Sequence, residues 1–328
     1  MATETLAPPS PQGLREGKPP PGRATDQIFR VLCLASGLLV LVILGLIIVT
    51  TANQASDWFR TEGLSALFSS NWDPAHNHFG ALGLAYGTVL VSSIALLFAV
   101  PVSVGIALFV TEVSPRFLRR PVVYVIDLLA AIPSVVFGLW ALNQFTHPLA
   151  NIYSSISSAT SGIPILDSLF AHPSASGQAF FTAGLVVAIM ITPIVTAITR
   201  EVFATTPASQ KEAALALGAT RWEMIRGSVF PHSRSGVASA VIIGFGRAVG
   251  ETIAVALIVG SSPRLTAQIF GTGDTMASII ANEFGDASGT WRSALIGLGL
   301  VLLIMTVIIG FVARAILSRA ERRMGVTR

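Results

Sequence analysis

The sequence predicts an all-α, polytopic membrane protein with six transmembrane helices. Of its 328 residues, 52% are hydrophobic and only 12% are charged, against roughly 25% charged residues in soluble domains. A soluble fold of this size has too little interior to bury so much apolar surface. The apolar residues also fall into six runs long enough to cross a bilayer core, which takes about 20 helical residues.

The six runs define the domain organisation. Residues 1–27 are rich in Pro and Gly and predict a disordered cytoplasmic tail. The first transmembrane helix covers 28–50, and 51–79 form an extracytoplasmic loop whose aromatic residues suit an interfacial helix. A five-helix core at 80–318 and a cytoplasmic tail at 319–328 follow. The predicted core spans are 80–111, 122–145, 178–199, 236–260 and 293–317.

The positions of Lys and Arg predict the orientation of the spans. Of the 21 basic residues, 17 fall in or next to the N-terminal tail, the loops after the second and fourth spans and the C-terminal tail, and three fall on the opposite side. This asymmetry places both termini in the cytoplasm. The excess of positive charge is therefore a topology signal, so we expect the lipid bilayer as a partner and no nucleic acid.

The sequence predicts neither an enzyme nor a cofactor-binding protein. Cys33 is the only cysteine and the five histidines are scattered, so no ligand set for a metal is present. The phosphate-binding pattern Gly-x-x-x-x-Gly-Lys-Ser/Thr is also missing from the sequence. Any hydrolysis of ATP-Mg therefore belongs to another chain.

The loop at 200–235 predicts two short helices joined by a tight corner. Thr206 precedes a proline, which is a favourable helix start, and Gly218 can adopt the left-handed conformation that ends a helix. Thr220 and Glu223 have the spacing of a capping box for the second helix. Such a loop is either an amphipathic surface loop or a helix that lies in the groove of a partner protein.

The fifth span contains a charged pair. Arg247 lies near the middle of 236–260, and Glu251 follows four residues later, on the same face of a continuous helix. An arginine at this depth costs at least about 2.5–3.5 kcal/mol, so it should face protein or water. The two residues are either a buried structural pair or part of a substrate path. Because guanidinium binds oxyanions bidentately, the second alternative predicts an oxyanion as cargo.

Two groups of residues resemble known families. The first resembles the EAA loop of bacterial ABC importer permeases, and it comprises Glu212, Ala213, Ala214, Gly218, Ile225 and Pro231. The second resembles the permeases of high-affinity phosphate importers, of the PstC type. It comprises the sequences RAVGET at 247–252 and IPSVVFGLW at 132–140, with supporting segments at 79–112 and 281–285.

These resemblances, which cover roughly residues 79–319, imply the type I ABC importer permease fold in the bacterial cytoplasmic membrane. They imply that the EAA-like loop docks into an ATPase homodimer (PstB type), which binds the ATP-Mg. They further imply a second permease (PstA type), an extracytoplasmic phosphate-binding protein (PstS type) and transport by alternating access. Arg247, Glu251 and Thr252 are the implied substrate-path residues. Import of another oxyanion, such as sulfate or molybdate, and a membrane scaffold or sensor of phosphate status remain alternatives.

Overall fold

The computed structural model describes residues 23–323, so most of the predicted tail at 1–27 and part of that at 319–328 lie outside the described residues. Met1–Thr50 forms one unit and Thr51–Arg328 a second. The described chain consists of α-helices, short 3-10 and π turns and one antiparallel hairpin, and a long segment without regular elements joins Ile258 to Met276. In chain order the elements are α1 (Arg23–Gln54), α2 (Ser56–Glu62), β1 (Trp72–Asp73), β2 (His78–Phe79), α3 (Leu82–Leu108), α4 (Arg116–Ala131), α5 (Ser134–Trp140), α6 (Thr146–Thr160), α7 (Pro164–Phe170), α8 (Phe180–Ala204), α9 (Ala208–Ala216), α10 (Arg221–Met224), α11 (Phe230–Val249), α12 (Ile253–Ile258), α13 (Met276–Glu283) and α14 (Gly289–Arg323).

Four of the described helices are long and apolar enough to cross a membrane without a break. They match the first, second, fourth and sixth predicted spans, and they run over Asp26–Gln54, Leu82–Val113, Phe180–Ala204 and Gly289–Arg319. The prediction of an all-α, polytopic fold is therefore confirmed. The first helix begins at Arg23, earlier than the predicted start at Ile28.

The third predicted span, 122–145, is not one helix. α4 and the helical run Ser134–Thr160 meet at an angle of 89°. Ile132 and Pro133 have extended ψ angles of 127° and 142° at the junction. Proline disfavours the helical conformation of the residue before it, so Pro133 explains the position of the break. The predicted span 122–145 is therefore divided into two helices that meet at Pro133.

The fifth predicted span, 236–260, is also divided. α11 ends at Val249, Gly250–Thr252 are not helical and α12 is only six residues long. Neither piece is among the described helices that are apolar and long enough to span alone, because the first turn of α11 is polar and α12 is short. Non-helical backbone at membrane depth occurs where protein or a water-filled cavity satisfies it. Four of the six predicted spans are thus continuous helices, and the third and fifth are each divided into shorter helices.

The centre of the second unit is formed by α3, α8 and α11. α3 packs along α8, and α11 packs against both helices. Small residues permit this close approach: a Cβ atom at Gly244 would lie 2.5 Å from Val195 Cγ2, and one at Gly184 would overlap Ile94. Buried side chains of α5 and α12 join the same apolar core. The broken fifth span is therefore held inside the bundle.

The segment 51–79 packs on the first half of α14 rather than standing alone. Trp58 is fully buried, and its Nε1 donates a hydrogen bond to the carbonyl oxygen of Phe79 at 3.0 Å. Trp72 belongs to the same apolar cluster. Of the aromatic residues in this segment, Trp58 and Trp72 are therefore buried in the protein, whereas Phe68 is exposed.

Asp274 is a buried carboxylic acid in the segment between α12 and α13. Its residue exposure is 2%. Ser278 Oγ donates to its Oδ1 at 3.1 Å, whereas its Oδ2 has no hydrogen-bond partner within the part of the chain that the structure describes. Burial raises the pKa of Asp274 from 3.8 to about 7; the Ser278 hydrogen bond opposes this shift and the negative charge of Glu283 adds to it. Ionisation of Asp274 therefore opposes folding.

We expect the Asp274→Asn variant to lose a pH dependence of stability that the wild-type protein shows. The folded-state pKa exceeds the unfolded one, so the wild-type free energy of unfolding falls as the pH rises from about 4 to about 7, and this shift corresponds to about 4 kcal/mol. Thermal unfolding in detergent across this range measures the difference, with Asp286→Asn at an exposed site as the control. Equal pH slopes for the wild type and Asp274→Asn would contradict the prediction.

Candidate functional site

The loop at 200–235 forms the two short helices that the sequence predicts. α9 begins at Ala208, and Pro207 rather than Thr206 occupies the N-cap position without a side-chain cap. Thr206 is buried instead, and its Oγ1 lies 3.3 Å from Ser233 Oγ. This contact between hydroxyl groups joins the start of the loop to α11.

The end of α9 is closed as predicted by a left-handed glycine. Gly218 has a φ angle of +87°. Its N–H donates to the Leu215 carbonyl oxygen at 3.0 Å, and the Ala219 N–H donates to the Ala214 carbonyl oxygen at 3.2 Å. These two bonds form the Schellman arrangement, which satisfies carbonyl groups at a helix end. The corner therefore has a defined geometry.

The predicted capping box of the second helix is confirmed. Thr220 N–H donates to Glu223 Oε2 at 2.8 Å, and Glu223 N–H donates to Thr220 Oγ1 at 3.3 Å. The backbone and side-chain hydrogen bonds from Thr220 lower the pKa of Glu223. α10 is thus fixed at its first turn and continues through the π turn Ile225–Val229 into α11.

The residues that resemble an EAA motif divide into an exposed group and an anchoring group. Ile225 is buried in a cluster with Phe203 of α8 and Ala107 of α3, and Ala214 packs against this cluster. Pro231 lies at the start of α11, directly after the π turn. The exposed members are Glu212, Ala213, Gly218 and Pro231. The loop therefore has one side packed on the helix bundle and one side free.

Large apolar side chains occur on the free side of this loop. Leu217 is 90% exposed and Trp222 is 60% exposed, and Leu215 is also exposed. Large exposed apolar side chains that lie this close together in one loop are typical of a protein contact site. Together with Glu212, these residues present an apolar surface beside a carboxylate.

Lys211 connects α9 to the end of α3. Its Nζ lies 2.5 Å from Glu112 Oε1, and the two side chains are only 20% and 8% exposed. Glu112 belongs to the π turn Phe109–Val113 that follows α3. This ion pair could not be predicted from the sequence because 99 positions separate its members. Through it, α9 contacts α3 by charge as well as by apolar packing.

A charge swap tests this ion pair. We expect Lys211→Glu to lower the free energy of unfolding by roughly 2–3 kcal/mol, because it leaves two carboxylates in a poorly hydrated site. The double variant Glu112→Lys/Lys211→Glu should recover at least half of that loss. Thermal or denaturant unfolding of the four proteins gives the coupling energy. Additive effects of the two substitutions would show that the pair contributes nothing.

Arg247 and Glu251 form an ion pair at the break between α11 and α12. Arg247 Nη2 lies 3.4 Å from Glu251 Oε2, with side-chain exposures of 49% and 3%. The predicted pairing is therefore present, but its geometry differs from the prediction. Arg247 is in the last turn of α11 and Glu251 lies beyond the helix end, so the two are not on one face of a continuous helix.

The three residues after α11 form a compact turn. Gly250 N–H donates to the Gly246 carbonyl oxygen at 3.2 Å, and Glu251 N–H donates to the Ala248 carbonyl oxygen at 3.3 Å. Thr252 Oγ1 donates to the Gly250 carbonyl oxygen at 3.0 Å. The only hydroxyl hydrogen of Thr252 is thus used within the turn, and its oxygen lone pairs remain as acceptors.

The charged pair has the chemical properties of a weak anion site. A guanidinium group has five N–H donors, and the half-exposed Arg247 uses one arm towards Glu251. The remaining N–H donors of Arg247 are accessible because half of the side chain is exposed. The buried carboxylate both orients the guanidinium and lowers its net attraction for an anion. An anion can therefore bind at this position and leave again.

Comparisons with known proteins agree with this architecture. The family model described as "Binding-protein-dependent transport system inner membrane component" matches residues 99–326. A "Phosphate transport system permease protein PstC" of Xylella fastidiosa (strain 9a5c) is 40% identical, over 98% of this chain and 99% of the relative. A protein of the same name from Mesorhizobium japonicum is 41% identical, over 92% of both chains. "Phosphate transport system permease protein PstC 2" of Mycobacterium tuberculosis is 40% identical, over 90% of this chain and 93% of its own length.

Solved structures show the same fold at low sequence identity. A chain of a bacterial alginate ABC transporter in complex with an alginate-bound periplasmic protein superposes with a TM-score of 0.54 at 18% identity, covering 92% of this chain and 98% of that chain. A chain of the inward-facing MetNI methionine ABC transporter gives a TM-score of 0.53 at 17% identity, covering 74% and 94%. The predicted type I ABC importer permease fold is thereby confirmed. The chain belongs to the family of binding-protein-dependent transport system inner membrane components.

Proposed function

We propose that this chain is one permease subunit of an ATP-driven phosphate importer. The proposal is supported mainly by the identity of about 40% to proteins named phosphate transport system permease protein PstC, which extends over nearly the whole length of both chains. As a non-catalytic membrane subunit of an ABC transporter, it functions in the inner membrane with an ATPase and a binding protein. The more specific partners of the proposal are a PstA-type second permease, a PstB-type ATPase homodimer that binds ATP-Mg, and a PstS-type phosphate-binding protein.

Arg247, Glu251 and Thr252 are the substrate-path residues of this proposal. Two observations support the assignment: a half-exposed guanidinium lies beside a buried carboxylate, and both adjoin a break in a span held within the bundle. Broken helices are a common location of substrate sites in transporters. Arg247 donates to the phosphate oxygens, Glu251 holds the guanidinium in place, and the Thr252 oxygen accepts from a protonated phosphate oxygen.

The loop with α9 and α10 is the proposed docking site for the ATPase. Glu212, Ala213 and Gly218 lie on its free side, next to Leu217 and Trp222. On the packed side, Ala214 and Ile225 contact the helix bundle. Pro231 is exposed and lies in the first turn of α11. The Lys211–Glu112 ion pair adds a link to α3. Displacement of the loop on closure of the ATPase therefore acts on α3, α8 and α11 together, and the bundle alternates between two openings.

The same proposal also predicts which side of the membrane the termini and the loops occupy. With the α9–α10 loop on the ATPase side, both termini are cytoplasmic, in agreement with the distribution of Lys and Arg. The segments between α6 and α8 and between α12 and α13 then face the binding protein on the other side of the membrane.

Transport by the assembled complex in proteoliposomes tests the proposed function. We expect ATP-dependent uptake of radiolabelled phosphate that unlabelled phosphate inhibits and that excess sulfate or molybdate leaves nearly unchanged. Equal inhibition by sulfate or molybdate would assign the transporter to another oxyanion. Absence of uptake by a fully assembled complex that hydrolyses ATP would reject the proposal in favour of a scaffold or sensor.

A further inference from the structure

A cavity of about 450 Å³ lies where the end of α3, the first half of α4 and the last turn of α8 meet. It is distinct from the Arg247–Glu251 pair and lies at the end of α8 from which the α9–α10 loop continues. Its polar lining consists mainly of arginine side chains. The residues that matter for its chemistry are Val110, Arg119, Arg120, Tyr124, Arg200 and Glu201.

The arginine side chains of this pocket have unused hydrogen-bond donors. Arg119 Nη2 donates to the Thr111 carbonyl oxygen at 3.1 Å, which fixes that side chain at the rim. Arg120 and Arg200 form no ion pair or hydrogen bond through their side chains within residues 23–323. Three guanidinium groups thus share the pocket with a single carboxylate, Glu201. The excess of positive charge favours an anion.

The apolar part of the pocket lining and the exposed apolar and basic side chains of α4 indicate where that anion lies. Val110 and the ring of Tyr124 give the pocket an apolar wall. α4 contains no buried residue among those the structure describes, and it exposes Phe117, Tyr124 and Leu128 alongside basic residues in its first turns. This combination is typical of a helix that lies in the plane of a membrane interface. Phosphate groups of phospholipids lie at that level.

We propose that this pocket binds a phosphate group through Arg120 and Arg200, with Arg119 completing its rim. Guanidinium groups bind phosphate oxygens bidentately, and basic pockets between membrane helices on the cytoplasmic side bind anionic headgroups. The phosphate group comes either from an anionic phospholipid or from inorganic phosphate on the cytoplasmic side. The second source rests on the proposed function, whereas the first does not.

The assembled transporter in nanodiscs provides the test. The pocket variant is Arg120→Gln/Arg200→Gln, and the matched control is Arg116→Gln/Arg314→Gln, which removes two exposed basic residues outside both the pocket and the α9–α10 loop. In the lipid arm, the thermal midpoint is compared between phosphatidylcholine nanodiscs and nanodiscs that also contain phosphatidylglycerol. We expect the anionic lipid to raise the midpoint of the wild type and the control, and the pocket variant to lose more than half of that rise.

The second arm distinguishes free phosphate from lipid. Millimolar inorganic phosphate is added to the complex in phosphatidylcholine nanodiscs, with Arg247→Gln present in every protein so that the proposed substrate path does not contribute. A phosphate-dependent rise that the pocket substitutions abolish assigns the site to inorganic phosphate, and it does so whether or not the complex transports phosphate.

Two results would overturn the proposal. One is equal behaviour of the pocket variant and the control in both arms. The other is loss of the ATPase from the pocket variant alone during purification, which would show that the arginines contact an acidic protein surface. A lower midpoint of the pocket variant in phosphatidylcholine without ligand would indicate misfolding. The variant Arg120→Lys/Arg200→Lys, which keeps the charge, then replaces it and should lose part of the rise because lysine lacks the bidentate fork.

Discussion

Replacement of Arg247 by Gln is expected to reduce ATP-driven phosphate uptake by about a hundredfold while the complex still assembles. A charge-assisted, bidentate contact to an anion contributes roughly 2–3 kcal/mol, and each 1.4 kcal/mol changes a rate tenfold. Gln keeps a donor and much of the side-chain length but has no charge. Because the Arg247 side chain is half-exposed, its loss leaves no large cavity. It does leave the buried Glu251 carboxylate without its cation, so uptake is compared at equal amounts of assembled complex.

The matched control for this prediction is Arg60→Gln. Arg60 is also exposed, but it lies on α2, away from the helix break and outside the segments proposed to face the binding protein. Its substitution removes the same charge and should leave uptake within a factor of about two of wild type, as most surface substitutions do. Uptake at the wild-type rate by a well-assembled Arg247→Gln complex would remove Arg247 from the substrate path.

Glu251→Gln separates a substrate path from a structural ion pair. In a substrate path, Arg247 without its carboxylate partner binds phosphate more tightly and releases it more slowly, so KM and the maximal rate should both fall. In a structural pair, Arg247→Gln and Glu251→Gln should instead lower the thermal midpoint by similar amounts and leave KM unchanged. Uptake kinetics and unfolding of the same preparations therefore distinguish the two roles of this pair.

Local sequence patterns predicted the helix ends of the α9–α10 loop correctly. The left-handed Gly218 and the Thr220–Glu223 capping box depend on interactions between residues only a few positions apart. A short stretch of sequence is therefore enough to predict them. The start of α9 was displaced by one residue, since Pro207 rather than Thr206 is the N-cap. Thr206 contacts Ser233 of α11 instead, and that contact depends on how the bundle packs.

Hydropathy located the membrane spans but not the breaks within them. The apolar run at 236–260 reads as one helix because Val, Ile and Ala residues continue through it, whereas the structure ends α11 at Val249. At this break the N–H groups of Gly250 and Glu251 donate to carbonyl oxygens in the last turn of α11, so they are not left unpaired as lipid would leave them. The Lys211–Glu112 pair and the pocket of Arg120 and Arg200 could not be predicted from the sequence either, because each joins residues that are far apart in the chain.

The second large effect is expected in the α9–α10 loop. We expect Glu212→Lys combined with Gly218→Pro to reduce co-purification of the ATPase at least tenfold. Glu212 is exposed on the free side of α9, so the Lys substitution reverses a charge at the proposed contact. Gly218 has a φ angle of +87°, whereas proline is fixed near −65° and has no N–H.

The proline therefore removes the bond to the Leu215 carbonyl oxygen and changes the angle between α9 and α10. Leu217 and Trp222, on either side of the corner, then no longer face one partner surface. A loss of about 1.4 kcal/mol is enough for a tenfold weaker complex. The two changes act on separate parts of the same contact, one on its charge and one on its shape.

A control in the same loop makes this prediction specific to the corner. Gly227 lies in the π turn, and a Cβ atom there would meet no neighbouring atom, so Gly227→Ala should keep the ATPase bound. The thermal midpoint of the isolated permease subunits should stay unchanged for Gly227→Ala and fall only modestly for Glu212→Lys/Gly218→Pro, because the proline strains one exposed corner while Ile225 still anchors the loop. ATPase retained by the Glu212→Lys/Gly218→Pro complex would mean that docking depends on another surface of the chain.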